Sequence, residues 1–600
     1  MNSWNSFLIV TVLSLTLLLS ILFYHSTSHA FNPDDTYFSD VTGEAGVPGE
    51  SYGARGVCWG DYNNDGYVDF YISSSYGDNI LYRNNGNGTF TDATYEAGVS
   101  CPTASNGVAW GDYDNDGLLD LYVSNYDYNN LFRNNGDGTF TDVTWETGVG
   151  DYGPGEAVNW VDYDKDGFLD IYIVNGGAWW YSNVLYRNNG DGSFSDVTIY
   201  AGVEDYAQGE NSAWADYDND GFQDLYVSNR GRNSLYRNNG DGTFTDVTTY
   251  AGVGDYGKGH GISWGDYNND GLLDLYLVNR QSANLLYRNN GDGTFTNVAA
   301  EAGVDDDELY TVGTSFLDFD NDGDLDIYNV SGAVNRLFSN DGDGMFTDVT
   351  DSAGVADYGR LGNGMACGDY NNDGFLDIYV VNWEYGCVLF KNNLSQNNWI
   401  QLKLIGTTSN SMAVGTRVDL HIEDNVQIRE VDGGSGFLSQ NSSIVQFGLG
   451  GASFVDQIVI TWPSGIVTTL EDVEANQLIV VEESGEIPPL TVELIPEETE
   501  YSPGDTVQFT VILANNTNRC LVFDGWLEAI LPDGTPIIPL RGPYEIRLFP
   551  MSTYDFLAYQ IIPLFAPEGE YVCIGKVGDF PEVVVDEDSF VISVTNHTIR

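Results

Sequence analysis

A short acidic phrase that recurs about every fifty residues constrains the fold of this chain more than any other feature. The phrase, close to G-D-Y-D-N-D-G-L-L-D, occurs seven times, and successive copies start 51, 50, 54, 50, 52 and 51 residues apart. A second phrase, L-Y-R-N-N-G-D-G-T-F-T-D-V-T, lies between the copies. A period near fifty residues is typical of one four-stranded propeller blade. The repeats therefore predict an all-β protein with a seven-bladed β-propeller over residues 31–395.

Each repeat divides into four strands, which we call A to D. In the fifth repeat they are predicted at His260–Tyr267, Leu273–Val278, Leu285–Asn289 and Thr294–Val298. The Asn-Gly-Asp-Gly sequence between strands C and D is a hairpin signal.

The ends of the repeat region predict how the ring closes. The seventh repeat stops after Asn393 without a D strand, whereas residues 37–42 stand alone before the first repeat and read as a D strand. We expect this N-terminal strand to complete the seventh sheet, because closure removes two exposed sheet edges.

Two residue types recur at fixed places in the repeats. A tryptophan in strand A is replaced by Phe316 and Cys367 in the last two repeats, and we interpret this position as core packing. An arginine in strand C is interpreted as a structural hydrogen-bond donor. The tryptophans are Trp59, Trp110, Trp160, Trp214 and Trp264, and the arginines are Arg83, Arg133, Arg187, Arg237 and Arg288.

The loop between strands A and B contains the candidate metal-binding residues. Positions 1, 3 and 5 have oxygen side chains, Gly at position 6 permits a sharp turn, position 7 can offer its backbone carbonyl, and Asp stands at position 9. Hard oxygen ligands at this spacing suit Ca²⁺, whereas Mg²⁺ resists dehydration into an all-protein cage. The loops therefore predict about seven calcium sites, weaker where position 3 is Asn. The predicted ligands are Asp61, Asn63, Asp65, Tyr67 and Asp69; Asp112, Asp114, Asp116, Leu118 and Asp120; Asp162, Asp164, Asp166, Phe168 and Asp170; Asp216, Asp218, Asp220, Phe222 and Asp224; Asp266, Asn268, Asp270, Leu272 and Asp274; Asp318, Asp320, Asp322, Asp324 and Asp326; Asp369, Asn371, Asp373, Phe375 and Asp377.

The alternative is a set of solvated Asx-turns without metal. Seven loops that each crowd three or four aspartates into one turn argue against it, because unbridged carboxylates at this distance repel one another. The whole chain has 89 acidic and 22 basic residues and a net charge of −67. This charge excludes nucleic acid as a partner and disfavours anionic membrane surfaces.

The N-terminus indicates export. Residues 7–24 form an uncharged, mostly apolar run, and Ser28-His29-Ala30 follows it. This pattern predicts a signal peptide over residues 1–30, with a retained signal-anchor as the alternative. We therefore expect a secreted or cell-surface protein, with the periplasm as a further possibility. The six cysteines have no CxxC spacing, and Cys520 with Cys573 is the first expected disulfide.

The repeats and the region after them resemble known families. The seven D-x-[DN]-x-D-G-x-x-D loops resemble the FG-GAP/VCBS repeats of integrin α-subunit propellers. Five later segments resemble the ASPIC/UnbV domain, namely Arg429–Val431, Gly433–Phe437, Ser439–Asn441, Phe447–Gly450 and Trp462–Gly465. A propeller followed by this domain is similar to the cartilage-acidic-protein family. The resemblance implies a secreted calcium-binding propeller with an adhesive or matrix-associated role, and it implies no enzymatic activity.

The rest of the chain predicts two further β domains. Residues 396–486 read as short strands with glycine turns, and the glycine-rich stretch 433–436 lacks the following helix that a phosphate loop needs. Residues 487–600 read as an immunoglobulin-like β-sandwich of about seven strands, with Tyr571 two residues before Cys573 as a weak tyrosine-corner signal.

Strand order predicts two different rims. The A–B loops and C–D turns must share one rim, which we call the acidic rim, and the B–C and D–A loops must share the opposite rim. Variable loops on a rigid scaffold are the usual place for recognition. The predicted partner-binding residues are Tyr126, Tyr128, Trp179, Trp180, Tyr181, Arg230, Arg232, Trp383 and Tyr385. The tyrosines of the recurrent Asp-Tyr-Gly sequences (Tyr152, Tyr206, Tyr256 and Tyr358) are interpreted as shaping their loops.

Three functions are compatible with these features. The first is a non-catalytic adhesion or recognition module for an extracellular protein or glycan. The second is a calcium-dependent polysaccharide lyase or hydrolase, whose best available site is a D–A loop with Tyr256, Lys258 and His260. The third is a structural subunit of a cell-surface assembly.

Overall fold

A computed structural model describes residues 36–49, 52–101, 103–176, 181–306, 310–342, 344–423 and 425–483, and eight shorter stretches between residues 490 and 594. The proposed signal segment and residues Trp179, Trp180 and Cys520 lie outside the described residues. In the described part of the chain, no helix is long and apolar enough to cross a membrane.

The repeats form seven four-stranded antiparallel sheets. The A strands are Ala54–Gly60, Ser105–Gly111, Gly155–Val161, Gly209–Ala215, Gly259–Gly265, Thr311–Leu317 and Gly362–Gly368. The B strands are Asp69–Ser74, Asp120–Asn125, Asp170–Asn175, Asp224–Asn229, Asp274–Asn279, Asp326–Ser331 and Asp377–Asn382. The C strands are Ile80–Asn84, Asn130–Asn134, Val184–Asn188, Ser234–Asn238, Leu285–Asn289, Arg336–Asn340 and Val388–Asn392. The D strands of the first six sheets are Phe90–Asp92, Phe140–Asp142, Phe194–Asp196, Phe244–Asp246, Phe295–Asn297 and Phe346–Asp348.

The sheets follow one another around a closed ring. The A strands of consecutive sheets are in contact, and Ala54–Gly60 contacts both Ser105–Gly111 and Gly362–Gly368. The seventh sheet takes its outer strand from the N-terminus, where Phe38–Asp40 pairs with the C strand and Phe38 lies opposite Asn392. The predicted closure by the N-terminal strand is therefore confirmed. Repeated four-stranded sheets around a ring are the arrangement of a β-propeller.

A ring of buried asparagines joins neighbouring sheets. The last residue of each C strand donates from its side-chain Nδ2 to the backbone carbonyl at loop position 2 of the preceding sheet. For example, Asn238 donates to Tyr163 O at 2.9 Å. The ring is complete, because Asn84 of the first sheet donates to Tyr370 O of the seventh at 2.8 Å. The other members are Asn134, Asn188, Asn289, Asn340 and Asn392.

A short helix that was not predicted from the sequence follows each D strand. The seven helices have four residues each and end at a glycine in the left-handed conformation, such as Gly148 at φ 84°. This glycine terminates the helix because it tolerates positive φ. The helices are Thr42–Ala45, Thr94–Ala97, Thr144–Thr147, Thr198–Ala201, Thr248–Ala251, Ala299–Ala302 and Thr350–Ala353.

The recurrent tryptophans pack in the cores between sheets, as predicted. Trp59, Trp110 and Trp160 are no more than 1% exposed. Each donates from its indole nitrogen to a carbonyl of the preceding sheet, as Trp110 does to Cys58 O at 3.2 Å. Phe316 and Cys367 are buried at the equivalent positions.

The region after the ring forms a small β domain. Its three-stranded sheet contains Val445–Gly450, Asn398–Ile405 and Gln477–Glu482. Its four-stranded sheet contains Asn425–Glu430, Arg417–Ile422, Phe454–Thr461 and Val467–Glu474. The two sheets share one apolar core that includes Leu402, Val418 and Ile458.

The last region has eight described strands, not about seven. The three-stranded sheet contains Leu490–Pro496, Thr506–Asn515 and Thr553–Ile561. The five-stranded sheet contains Glu500–Tyr501, Val583–Val594, Gly569–Asp579, Leu521–Ile530 and Pro536–Leu548. Residues of both sheets, among them Phe509 and Tyr571, share one apolar cluster. Cys573 lies in this cluster and Cys520 lies outside the described residues, so their pairing remains a prediction.

Candidate metal centre

The acidic loops fold around their own aspartates. In the second loop, the Asp112 carboxylate accepts hydrogen bonds from the backbone nitrogens of Asp116 at 3.0 Å and Gly117 at 2.8 Å. Asp120 at position 9 accepts from Asn134 N at 2.8 Å and Tyr113 N at 3.2 Å, which ties the loop to strand C. Carboxylate oxygens therefore converge on the inside of the turn.

Two positions in each loop adopt the left-handed conformation. The glycine at position 6 was predicted to permit the turn, and its φ lies between 83° at Gly117 and 104° at Gly323. Position 4 is also left-handed, with φ of 53° to 58°, which was not predicted from the sequence. The signal was present, because position 4 is Asn in six loops and Lys165 in the other, and Asn tolerates positive φ better than most residues.

Four loops bring three carboxylates together. One ligand oxygen from each of positions 1, 3 and 9 lies within 4.8 Å of the others in these loops. The groups are Asp112, Asp114 and Asp120; Asp162, Asp164 and Asp170; Asp216, Asp218 and Asp224; and Asp318, Asp320 and Asp326. In the other three loops position 3 is Asn63, Asn268 or Asn371, so an amide oxygen replaces the third carboxylate.

The same loops contain buried carboxylate oxygens that lack a hydrogen-bond partner. They include Asp114 Oδ1, Asp162 Oδ1, Asp164 Oδ1 and Asp224 Oδ2. A buried anionic oxygen without a partner is costly unless a cation or donor meets it. The residues present therefore fit a hard divalent ion, which would accept these oxygens as ligands.

Burial raises the pKa of the aspartates in the loops. The pKa of Asp69 and Asp274 at position 9 rises to about 8, and burial is the largest cause. In the second loop, burial followed by the charge of Asp114 raises the pKa of Asp120 well above its ordinary range. Without a cation, Asp69 and Asp274 would hold protons near neutral pH. A divalent ion would keep them ionised, because an adjacent positive charge favours the carboxylate.

The residues at positions 5 and 7 make hydrogen bonds that differ from those of the residues at positions 1 and 9. The position 5 carboxylate accepts from the backbone nitrogen of position 7, as Asp116 Oδ1 does from Leu118 N at 2.9 Å. In the sixth loop, the Asp324 side chain accepts from Asn269 Nδ2 of the fifth loop at 2.7 Å.

One recurrent arginine enters an acidic loop. Arg187 donates from Nε to Asp164 at 2.6 Å and from Nη2 to Asp166 at 2.8 Å. The interpretation of this arginine as a structural donor is confirmed. Arg83 makes a long ion pair with Glu96, at 3.9 Å.

Neighbouring loops are linked along the acidic rim. In five loops the position 4 asparagine donates to the backbone carbonyl of the position 6 glycine in the next loop, as Asn115 does to Gly167 O at 2.9 Å. Asn372 of the seventh loop donates in the same way to Gly66 O of the first at 3.0 Å. In the third loop Lys165 instead lies over the Phe222 ring, 4.5 Å from its centroid. Each loop is therefore positioned partly by the loops beside it.

The small β domain lies on the acidic rim and contacts all seven loops. In the second loop, Ser411 Oγ donates to Asp112 Oδ2 at 2.5 Å. In the sixth, Gly448 N donates to Asp318 Oδ2 at 3.0 Å. In the seventh, Gln401 Nε2 donates to Asp369 Oδ2 at 3.1 Å. The other four contacts are Lys403 with Asp61, Asn410 with Asp162, Glu430 with Asp216 N and Arg417 with Gly271 O.

One segment of this domain, residues 432–442, passes between the A strands, and we call it the channel segment. Gly433 O accepts from Trp160 N at 3.1 Å, and Gln440 O accepts from Trp59 N at 3.2 Å. Asn441 Oδ1 accepts from Cys367 N at 2.8 Å. Further bonds reach the other four sheets through Val108, Asn211, Ile262 and Ser315. The glycine-rich stretch therefore fills the centre of the ring.

The predicted rim assignment agrees with the structure. On the opposite rim, Asn183 N donates to Asp205 O at 3.0 Å and so joins a B–C loop to a D–A loop. Among the predicted partner-binding residues that are described, Tyr126, Tyr128, Tyr181, Tyr385 and Arg230 are exposed. Arg232 and Trp383 are half-buried, and Arg232 donates to Thr249 at 3.1 Å.

The structure places His260, a residue of the predicted catalytic site, differently from the prediction. His260 lies in strand A and is 2% exposed, because its ring packs 5.1 Å from the Phe437 ring of the channel segment. Its Nδ1 is 3.3 Å from the buried Glu210. The assignment of His260 to one D–A loop with Tyr256 and Lys258 was therefore wrong, whereas its prediction as a residue of strand A is confirmed.

The repeated sheets and their acidic loops define a propeller with loops that could hold metal ions, and comparison with known proteins gives its family. The model described as FG-GAP-like repeat matches residues 61–123, 112–173, 173–227, 216–277, 266–329 and 318–380. The model described as ASPIC and UnbV matches residues 406–488. The chain belongs to the FG-GAP-like repeat family and carries an ASPIC and UnbV domain, which confirms the resemblance inferred from the sequence.

Curated relatives have the same name in different species. Cartilage acidic protein 1 of Homo sapiens is 30% identical over 298 residues, covering 47% of this chain and 37% of the relative. Cartilage acidic protein 1 of Xenopus tropicalis is 26% identical over 384 residues, covering 61% and 50%. The chain thus spans half or less of the length of these relatives. A solved structure titled as BBS1N in complex with ARL6DN is 10% identical, with a TM-score of 0.39, covering 60% of this chain and 97% of that one.

Substituting Gly433 tests whether the channel segment is seated as described. A Cβ at Gly433 would lie 1.8 Å from Trp160 O, so Gly433→Ala should displace the segment and expose the Trp160 amide. Hydrogen exchange at that amide should accelerate by about 100-fold or more, since a local bond is replaced by opening to solvent. Gly451→Ala in the same domain is the matched control, because no atom lies within 4 Å of the added carbon. Equal exchange in both variants would contradict this placement.

Proposed function

We propose that the protein is a secreted or cell-surface calcium-binding propeller protein that acts as a non-catalytic recognition module for an extracellular protein or glycan. One observation carries the proposal: the small β domain covers the acidic rim at all seven loops, so the exposed variable loops are those of the opposite rim. Family membership supports it, and so do relatives named Cartilage acidic protein 1.

The proposed role of calcium is to hold the acidic rim together. We propose about seven Ca²⁺ sites, one in each loop, with positions 1, 3, 5 and 9 as side-chain ligands and position 7 as a carbonyl ligand. The convergence of positions 1, 3 and 9 in four loops supports these ligands. We expect weak affinities, with Kd on the order of 10⁻⁴ to 10⁻³ M, as in other extracellular modules.

The proposal includes the finer features of the fold. We interpret the seven sheets as seven blades of one propeller and the last eight strands as an immunoglobulin-like sandwich. The sandwich would act as a spacer or docking module. The signal segment over residues 1–30 and the predicted recognition residues Trp179 and Trp180 belong to the proposal on sequence grounds alone.

Removing one carboxylate from a single loop tests the metal assignment. Asp218→Ala deletes position 3 of the fourth loop, which lies with Asp216 and Asp224 in one group. The variant should bind one calcium ion fewer per molecule than the parent, as counted by native mass spectrometry after dialysis against millimolar calcium. Asp241→Ala is the matched control, because Asp241 is an exposed aspartate of the same repeat that accepts only from Thr243. An unchanged ion count in Asp218→Ala would contradict a metal site in this loop.

Two exposed tyrosines test the recognition rim. Tyr126 and Tyr385 lie in the B–C loops of two different sheets and are 59% and 70% exposed. Replacing both with alanine should weaken capture of the partner from the native cell surface by about tenfold, since exposed tyrosines anchor interfaces, with the calcium-saturated Tm unchanged. Tyr250→Ala is the control, because this exposed tyrosine reaches Asp292 O in a C–D turn instead. Equal capture by all three proteins would place recognition elsewhere.

A further inference from the structure

Three aromatic rings form an exposed cluster on the opposite rim. Tyr128 comes from a B–C loop, Trp145 from the helix Thr144–Thr147, and Tyr152 from the following D–A loop. Their ring centroids are 4.8 Å apart for Tyr128 and Tyr152, 6.0 Å for Tyr128 and Trp145, and 6.1 Å for Trp145 and Tyr152. We call these three residues the aromatic platform.

The platform leaves much aromatic surface in solvent. Trp145 is 65% exposed and Tyr152 is 59% exposed, whereas the recurrent Trp110 of the same repeat is fully buried. Exposed tryptophan is costly in water and is typical of sites that bind a ligand by stacking.

The repeats show that the fold does not require these rings. The position of Trp145 is occupied in the other repeats by Gly43, Tyr95, Ile199, Thr249, Ala300 and Asp351. These residues range from glycine to aromatic on helices with the same bounds. A structural role shared by the repeats would restrict the residue types at this position. Trp145 therefore has a role that is specific to its own repeat.

Hydrogen bonds between side chains and backbone fix the loops that carry Tyr128 and Tyr152 in the absence of a ligand. Tyr128 O accepts from the buried Asn125 Nδ2 at 2.5 Å. Tyr152 N donates to Asp151 Oδ1 at 2.8 Å, and Asp151 Oδ2 accepts from Asn175 at 2.8 Å. A ligand would therefore meet a preorganised surface and lose little affinity to ordering it.

The charge around the platform defines the chemistry of the ligand. The charged residues beside the three rings in the sequence, Asp127, Glu146 and Asp151, are all acidic, and Asp142 is linked to the same loop through Asn130. Carboxylates repel anionic ligands but accept hydrogen bonds from hydroxyl groups. The rings also contact one another, so they offer a stacking surface and not a cage that encloses a cation.

We propose that the aromatic platform binds a neutral glycan, with a pyranose ring stacked on Trp145 and its hydroxyl groups donating to the neighbouring carboxylates. A sugar ring matches an aromatic face in size and presents both C–H groups for stacking and O–H donors. The inference rests on the proposed recognition function and specifies its ligand class.

The test uses the full chain in millimolar calcium and two sets of polysaccharide probes. The neutral probes are galactan, mannan and β-glucan, and the anionic probes are polygalacturonate and heparin. Affinity electrophoresis should show retardation by at least one neutral probe and not by the anionic ones. Trp145→Ala should weaken that binding by about tenfold or more. Tyr95→Ala is the matched control, because Tyr95 occupies the equivalent position, is 74% exposed, and is hydrogen-bonded to Asp78 outside the platform.

The outcomes separate this inference from the function on which it rests. Binding only to anionic probes, no binding to any neutral probe, or equal binding by Trp145→Ala and the parent would each overturn it. Capture of a surface partner that is lost in the Tyr126 and Tyr385 double variant but survives removal of glycans from the extract would also overturn it. That last result would leave a protein-binding recognition rim in place. A fall in the Tm of Trp145→Ala but not of Tyr95→Ala would show that the ring supports the fold and would count against the inference.

Discussion

Burial of carboxylates at one end of the ring is the constraint on which the rest of this structure depends. Asp120 and its equivalents at position 9 are almost fully buried and are tied to strand C, and oxygens of several loops lack a hydrogen-bond partner. An ionised group in such a place is stable only beside an opposite charge. Of the chain's 22 basic residues, those near the loops, such as Arg187 and Lys403, meet only a few of these carboxylates. Divalent cations are the simplest partners for the remainder.

The same region organises the other parts of the molecule. Asparagines of the C strands join each sheet to the preceding acidic loop, and position 4 asparagines join most loops to the next. The small β domain rests on this rim and sends its channel segment through the ring. Because one rim is covered in this way, we propose that a partner binds the loops of the opposite rim. The position of the small β domain therefore determines which rim is exposed, and the proposed function depends on that exposure.

Much of this could be predicted from the sequence, because the repeat carries its own structural signals. The repeat period predicted the four strands of each sheet, and the isolated segment 37–42 predicted that the N-terminal strand closes the ring. The spacing of the aspartates predicted the candidate metal ligands. The placement of the small domain was out of reach, since Ser411 and Gly448 meet aspartates some 130 to 300 residues earlier in the chain through contacts that no local pattern records. His260 was misplaced because its burial comes from Phe437 in another domain. Trp145 was missed because an exposed aromatic in one helix turn has no periodic signal, whereas the left-handed Asn at position 4 recurs and could have been recognised.

The dependence of thermal stability on calcium tests the central claim most directly. The full chain, stripped of metal at neutral pH, would be melted over a range of calcium concentrations and compared with samples containing chelator. Ions that bind only the folded state should raise Tm progressively, with about 2.7 kcal/mol of stabilisation per site when calcium reaches 100 times its Kd. A Tm that is the same in chelator and in millimolar calcium would show that the buried aspartates are satisfied without a metal.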